Sequence, residues 1–255
     1  MKLKEKLRRS QLTLGSWLML KDSAVVEILK YAGFEWLVVD LEHTDLDLQE
    51  AKLLIATIQA AGMEALVRVS KNEEVVIKRV LDMGADGIIV PMVCSRKDAD
   101  QAVGYSKYPP KGKRGVGLSR AQCYGLEFEE YKKWVDEQLV IIAQIEHIDA
   151  VRNIEQLVDV ADIDCFMIGP YDMSASMGYP GEFDRQDVKE AVSKVFQVCI
   201  AKKKSVGFHV VDTRADAIWE RINQGGNFMA YGIDYFFLRD KAIECMKQLK
   251  QRIKE

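Results

Sequence analysis

The sequence predicts an α/β protein built as a single (β/α)8 barrel. Three observations carry this. Eight short runs are rich in β-branched or aromatic residues, amphipathic helical stretches alternate with them, and the length of 255 residues suits such a barrel, which typically needs roughly 250. Most runs are nearly continuously apolar, as parallel strands are when both faces are buried. No composition break, low-complexity tract or linker divides the chain, so residues 1–255 read as one domain.

The charged opening Met1-Lys2-Leu3-Lys4-Glu5-Lys6-Leu7-Arg8-Arg9 is expected as a helix over about 2–9 that covers the barrel bottom or packs on a neighbour. The first strand is 13–18. A helix at 23–31 leads to strand 36–40, one at 47–60 to strand 65–69, and one at 73–82 to strand 87–91. The fourth return is the longest. After a helix at 95–105, the segment 108–117 is too rich in Gly and Pro to be regular, and a further helix at 128–137 precedes strand 140–145. A long excursion of this kind is more often functional than idle. Helix 150–159 then leads to strand 165–169, helix 186–203 to strand 205–210, and helix 213–223 to strand 228–233; residues 235–254 form the closing helix.

Composition excludes several classes of function. The net charge is −3 and the basic residues are scattered, which argues against nucleic acid as a partner. The charged start has no apolar segment behind it, so it is not a secretory signal, and no apolar stretch is long enough to span a bilayer. A cytoplasmic protein with no membrane partner is expected. Cys94, Cys123, Cys165, Cys199 and Cys245 are odd in number and form no Cys-x-x-Cys pair; buried free thiols in a reducing compartment are the simplest reading.

In a parallel barrel the C-terminal strand ends meet on one face. Ionisable groups gather there: Asp40-Leu41-Glu42-His43 after strand two, Arg68 in strand three, Gln144-Ile145-Glu146 at strand five, Gly169-Pro170-Tyr171-Asp172 after strand six, and His209 in strand seven. Glu146 and Asp172, both oxygen donors, can hold one hard divalent cation. Each residue also has a plainer role open to it. Asp172 can cap a short helix, Glu146 can be a first-turn acid, His43 a loop histidine, His209 a core histidine bonded to backbone, Asp82 a surface acid at a helix end, and His147 the start of the fifth helix. Arg68 is harder to dismiss, because a charge inside Leu66-Val67-Arg68-Val69 needs a partner or a wet cavity.

With these residues placed, the chain resembles the HpcH/HpaI aldolases, metal-dependent class II pyruvate aldolases of the pyruvate/phosphoenolpyruvate barrel superfamily. The stretches that carry the likeness are Asp40-Leu41-Glu42-His43, Val90-Pro91-Met92-Val93, Tyr108-Pro109-Pro110-x-Gly112-x-Arg114-Gly115-Val116-Gly117, Gln144-Ile145-Glu146, and Ile168-Gly169-Pro170-x-Asp172-x-Ser174-x-Ser176-Met177-Gly178. The resemblance implies that Glu146 and Asp172 are the metal ligands and that Arg68 contacts the pyruvate keto oxygen. It implies that His43 transfers the proton, with Asp40 beside it and Asp82 as its carboxylate partner. Gln144 lies near metal and substrate, and the turn of Gly169, Pro170, Tyr171 and Asp172 cradles the pyruvate carboxylate. Homo-oligomers, commonly hexamers built as trimers of dimers that exchange a C-terminal helix, are implied as well. After Gly117 the segment 118–125 replaces the longer loop of better-known members, which shapes the aldehyde pocket in the family.

The expected reaction is reversible cleavage of a 4-hydroxy-2-oxo acid to pyruvate and an aldehyde through an enolate stabilised by Mg²⁺ or Mn²⁺, with Co²⁺ or Zn²⁺ as alternatives. No lysine stands inside a strand, which disfavours a Schiff-base aldolase. Two other readings are a citrate-lyase-like CoA-thioester lyase, disfavoured because no basic patch for CoA is evident near the strand tops, and a non-catalytic 2-oxo-acid-binding barrel.

Overall fold

The computed structural model describes residues 1–254. Eight parallel strands close into a barrel in sequence order: β1 (Thr13–Leu18), β2 (Trp36–Asp40), β3 (Glu64–Arg68), β4 (Gly87–Val90), β5 (Val140–Ile145), β6 (Cys165–Ile168), β7 (Ser205–Val210) and β8 (Phe228–Ile233). All eight expected strands are present, with bounds that agree to within a residue. The helices are α1 (Leu3–Arg8), α2 (Ser23–Ala32), α3 (Leu48–Ala60), α4 (Glu74–Asp82), α5 (Arg96–Ser106), α6 (Phe128–Glu137), α7 (Ile148–Arg152), α8 (Ile154–Leu157), α9 (Pro170–Ser176), α10 (Gln186–Ala201), α11 (Ala215–Asn223) and α12 (Asp234–Lys254). Local chemistry sets several starts. Asp22 accepts the Ala24 N–H, and Asp47 and Ser95 form capping boxes with Glu50 and Asp98.

Three segments depart from expectation. The helix expected at 150–159 is two short ones, α7 and α8, broken at Asn153, whose side-chain amide donates to the Cys94 carbonyl at 2.9 Å. Helix α9 stands where a turn is expected; Gly169 opens it and Pro170 takes the first helical position, where its fixed φ suits a helix. Residues Arg120–Gly125 form a distorted 3-10 turn in which Cys123, Tyr124 and Gly125 have φ of 49°, 57° and 97°.

The core has two layers. One lies between the strands and the helices. The other fills the barrel with Trp17, Trp36, Val38, Leu66, Ile142 and Phe228, among others. Trp36 stacks on Phe228 at 4.1 Å and lies over Gly15, where any side chain would collide with the indole. Of the two roles open to α1, it takes the first and covers the barrel bottom. Leu3 and Leu7 are buried there, and the Lys4 ammonium donates to the Leu139 carbonyl at 2.5 Å and to Asp164 at 2.8 Å. Cys165 and Cys199 are buried as expected, but Cys123 and Cys245 are exposed, because the 3-10 turn and α12 stand away from the core. No described helix is long and apolar enough to cross a membrane.

Candidate active site at the strand ends

Asp40 and Arg68 are the last residues of β2 and β3 and face each other across the pairing register. Arg68 Nε donates to Asp40 Oδ1 at 2.9 Å and Nη2 to Oδ2 at 2.5 Å, while Nη1 lies 3.2 Å from Glu42 Oε2. Burial pushes the Asp40 carboxyl up, but the hydrogen bonds and charge of Arg68 outweigh it, so the group lies below the usual carboxylate range. Burial likewise works against the guanidinium, yet Asp40 and then Glu42 hold it firmly charged.

Asp40 Oδ1 also accepts the backbone N–H groups of Glu42 (3.0 Å) and His43 (3.4 Å), and the Thr44 hydroxyl donates to the Asp40 carbonyl. The turn after β2 is thus folded back onto its last residue. It carries the His43 imidazole to an exposed rim position, with Nε2 3.9 Å from Glu42 Oε2. Burial raises the Glu42 carboxyl.

Glu146 follows β5 and is 3 % exposed. Its Oε1 accepts the Met92 N–H at 2.7 Å and its Oε2 accepts from Gln144 Nε2 at 2.6 Å. Met92 has φ 53°, a left-handed backbone uncommon outside glycine, and this is what directs its N–H at the carboxylate. Gln144 Oε1 is buried with no hydrogen-bond partner. Burial raises Glu146 to about 7, with the charges of Glu42 and Asp172 adding to it and Met92 and Arg68 opposing. Asp172, in the first turn of α9, is exposed. Gly169 lies between the two acids in sequence and packs tightly. A Cβ there would sit 2.9 Å from both Gln144 Nε2 and Glu146 Oε2. Beside it, Tyr171 is exposed and meets Phe183 edge-on at 4.8 Å.

Behind Arg68, the Trp17 ring lies 5.4 Å from the guanidinium carbon, and His209 stacks on Trp17 at 4.3 Å. His209 Nε2 is 3.2 Å from the Gly232 carbonyl, the backbone-bonded role open to it from sequence. Burial pushes its imidazole down to about 4. Lys21 and Lys71, in the loops after β1 and β3, are exposed and pair with Glu50 and Glu73.

Residues 13–240 match the HpcH/HpaI aldolase/citrate lyase family. The chain belongs to this family. It is 33% identical over 247 residues to the 2-dehydro-3,6-dideoxy-6-sulfogluconate aldolase of Pseudomonas putida, covering 96% of each chain. It is also 33% identical over 249 residues to the 2-keto-3-deoxy-L-rhamnonate aldolase of Escherichia coli K12, covering 97% of this chain and 92% of that one. Among solved structures, an HpcH/HpaI aldolase/citrate lyase family protein from Burkholderia cenocepacia J2315 superposes with a TM-score of 0.92 at 29% identity, over 97% of this chain and 98% of the other. As a member of the HpcH/HpaI family, the protein is a carbon–carbon lyase.

Of the residues that the family likeness singles out, the barrel brings Asp40, Arg68, Gln144, Glu146, Gly169, Pro170, Tyr171 and Asp172 to one face. The capping role open to Asp172 is not realised, since Gly169 is the N-cap. His147 does begin α7, its Nδ1 accepting the Asp149 N–H at 3.1 Å. Two residues stand differently, within one chain, from the roles that the family likeness implies. Asp82 is not beside His43 within the chain. It ends α4, which returns to the start of β4 at the barrel bottom, and Arg114 holds it at 2.7 Å. Asp40 meets His43 only through backbone, so the carboxylate beside the imidazole is Glu42. The loop 118–125 also packs on the bottom of its own barrel. Ser119 donates to the Asp82 carbonyl, and Arg120 donates to the Met83 carbonyl and to Gln59. Sequence reasoning missed Glu42, Trp17 and Met92 as parts of the site. Glu42 and Met92 stand inside the stretches that carry the family likeness, and Trp17 carries no signal beyond its place late in β1.

Proposed function

We propose that the protein catalyses reversible cleavage of a 4-hydroxy-2-oxo acid to pyruvate and an aldehyde, with a divalent cation held by Glu146 and Asp172. The observation that carries this is the pairing at one rim of a buried, rigidly held guanidinium with a buried carboxylate that lacks a compensating cation of its own. The donor set fits a hard ion. Glu146 is raised to about 7 by burial and neighbouring acids, and Gln144 Oε1 is left without a partner beside it. Among the described residues no group of three or more His, Cys, Asp or Glu side chains is arranged to hold an ion alone, so substrate and water complete its shell. Mg²⁺ or Mn²⁺ suits such oxygen ligands best, with Co²⁺ or Zn²⁺ as substitutes. A bound cation supplies Lewis-acid polarisation of the 2-oxo acid.

The chain's own groups do the rest. Arg68 spends two of its five N–H groups on Asp40, pairs by charge with Glu42, and has others for the keto oxygen, where negative charge grows as the carbon–carbon bond breaks. The turn from Gly169 to Asp172 receives the carboxylate of the oxo acid, with Gln144 beside it. His43 takes the proton of the aldol hydroxyl and returns it in the reverse direction, with Glu42 as its neighbouring acid.

A homo-oligomer is part of this reading. From Lys241 to Ile253 every residue of α12 is exposed, including Ile243, Met246, Leu249 and Ile253. A cavity of about 1090 Å³ lies between α10 and α11, lined by Val192, Phe196, Ile200, Phe208 and Ala217. Exchange of α12 between copies, in a dimer or in a hexamer built as a trimer of dimers, covers both. In such an assembly Asp82 and the 118–125 loop, at the barrel bottom, serve only a neighbour's site. The protein is placed in the cytoplasm, with neither nucleic acid nor membrane as partner.

The test is pyruvate release from a panel of 4-hydroxy-2-oxo acids, before and after EDTA and after readdition of Mn²⁺. Activity that survives EDTA, or a borohydride-trapped adduct with pyruvate, sinks the metal-assisted reaction.

A further inference from the structure

We propose that His209 is a positioning residue: anchored on a bulge in β8, it stacks on Trp17 and through Trp17 sets the position of the Arg68 guanidinium. The inference rests on the role given to Arg68 above.

The arrangement begins in the backbone. Along β1 and β8 the pairing runs Thr13 to Phe228, Leu14 to Met229 and Gly15 to Ala230, then Trp17 to Ile233. Two steps on β1 therefore oppose three on β8, so β8 carries one extra residue in the Tyr231-Gly232 segment. A bulge bends its strand and re-aims the groups next to it. Gly232 has φ 66°, and any side chain there would collide with the Phe237 ring, so the bulge needs glycine.

The Gly232 carbonyl then falls within reach of two donors, His209 Nε2 at 3.2 Å and the Ser16 hydroxyl at 3.5 Å. A carbonyl can only accept, so this bond places the imidazole proton on Nε2 and fixes the ring about its own axis. The fixed ring lies 4.3 Å from Trp17 and tilted by only 14°. Burial, with the nearby charge of Arg68 pushing the same way, keeps the imidazole neutral, so it backs the indole without repelling the guanidinium.

Asp40 holds Arg68 through two hydrogen bonds, and Glu42 Oε2 pairs with Nη1 by charge at 3.2 Å. The guanidinium carbon lies over the Trp17 ring, 5.4 Å from its centre, so the indole is the floor that limits how far the group can move away from those acids. A phenylalanine at 209 can stack but cannot hold the Gly232 carbonyl; an alanine can do neither.

The experiment measures pyruvate affinity in the presence of Mn²⁺ by calorimetry, together with kcat, KM and thermal melts, for wild type, His209→Ala, His209→Phe and Trp17→Phe. It adds Arg68→Ala alone and combined with His209→Ala. His209→Ala is expected to weaken pyruvate binding about tenfold with Mn²⁺ affinity unchanged, and His209→Phe to fall between it and wild type. In the Arg68→Ala background the His209→Ala effect is expected to vanish, because the two act as one unit. Equal pyruvate affinity and KM in wild type and His209→Ala overturn the proposal, as does a full His209→Ala effect without Arg68. If His209→Ala does not fold, His209→Phe and Trp17→Phe decide by the same measures. A wild-type protein that does not bind pyruvate with Mn²⁺ refutes the aldolase reading instead, so the two failures are distinct.

Discussion

The two ends of the barrel bury charge in different proportions. At the bottom, three buried cations each have an acid, Lys4 with Asp164, Lys107 with Asp162 and Arg114 with Asp82, while Lys204 rests on backbone carbonyls. At the top, Asp40, Glu42 and Glu146 gather around Arg68, Asp172 adds its charge to Glu42 and Glu146, and those two are raised chiefly by burial. Only Asp40 is matched fully. Paired charges at the bottom tie loops and α1 to the strand starts. The surplus of negative charge at the top costs stability and suits a cation and an oxo acid, which is the division expected of a barrel enzyme.

The comparison breaks first if Arg68→Ala is mild. Removing it takes away preorganised positive charge and leaves Asp40 buried alone, so kcat is expected to fall by roughly two to three decades, and Arg68→Lys will not restore the bidentate grip. Steady-state retro-aldol kinetics measure this. Lys4→Ala should give the opposite profile: a loss of about 3 kcal/mol in denaturant unfolding with kcat unchanged. A catalytic defect there would mean that the bottom is not purely structural.

The surplus charge also predicts a pH dependence. Glu146 holds its proton up to about 7 in the folded, metal-free protein, whereas an unfolded glutamate releases it near 4.3. The folded state therefore binds the extra proton between these values. Stability of the metal-free protein should fall as pH rises from about 4.5 to 7, by about 3 kcal/mol at most, and then level off. Glu42 acts in the same direction and Asp40, lowered, in the opposite one at more acid pH. Glu146→Gln should flatten this slope in urea titrations across pH, and in the intact protein Mn²⁺ affinity should decline below pH 7 because the ligand must shed its proton. The smallest effect is expected from Gly169→Ala. Its methyl must displace Gln144 or Glu146 by a few tenths of an ångström, so a rise in KM of about tenfold is expected, with kcat changed less.

Much of the top is legible in the amino-acid pattern. Arg68 stands out because a charge in an apolar strand needs a reason, and Glu146 and Asp172 because they follow strands whose ends must converge. The placements that the amino-acid pattern does not reveal share one cause. Family likeness assigns Asp82 and the 118–125 loop to the top, and no residue pattern shows which end of the barrel a returning segment packs against. The extra residue in β8 is equally hidden, since Tyr231-Gly232 reads as ordinary strand and becomes a bulge only through its mismatch with β1.

The order and number of strands follow from residue pattern, since burial on both faces forces continuous apolar runs, and so does the end of each strand that carries charge. The partners of those charges emerge only in three dimensions: Glu42 beside His43 within one chain, the Met92 N–H on Glu146, and His209 stacked on Trp17. Each of these depends on strand register and loop direction to within an ångström or two. They are set by packing among residues distant in sequence, such as Met19 and Asp234, 215 positions apart; the Asp234 carboxylate holds the Met19 and Leu20 N–H groups just beyond β1.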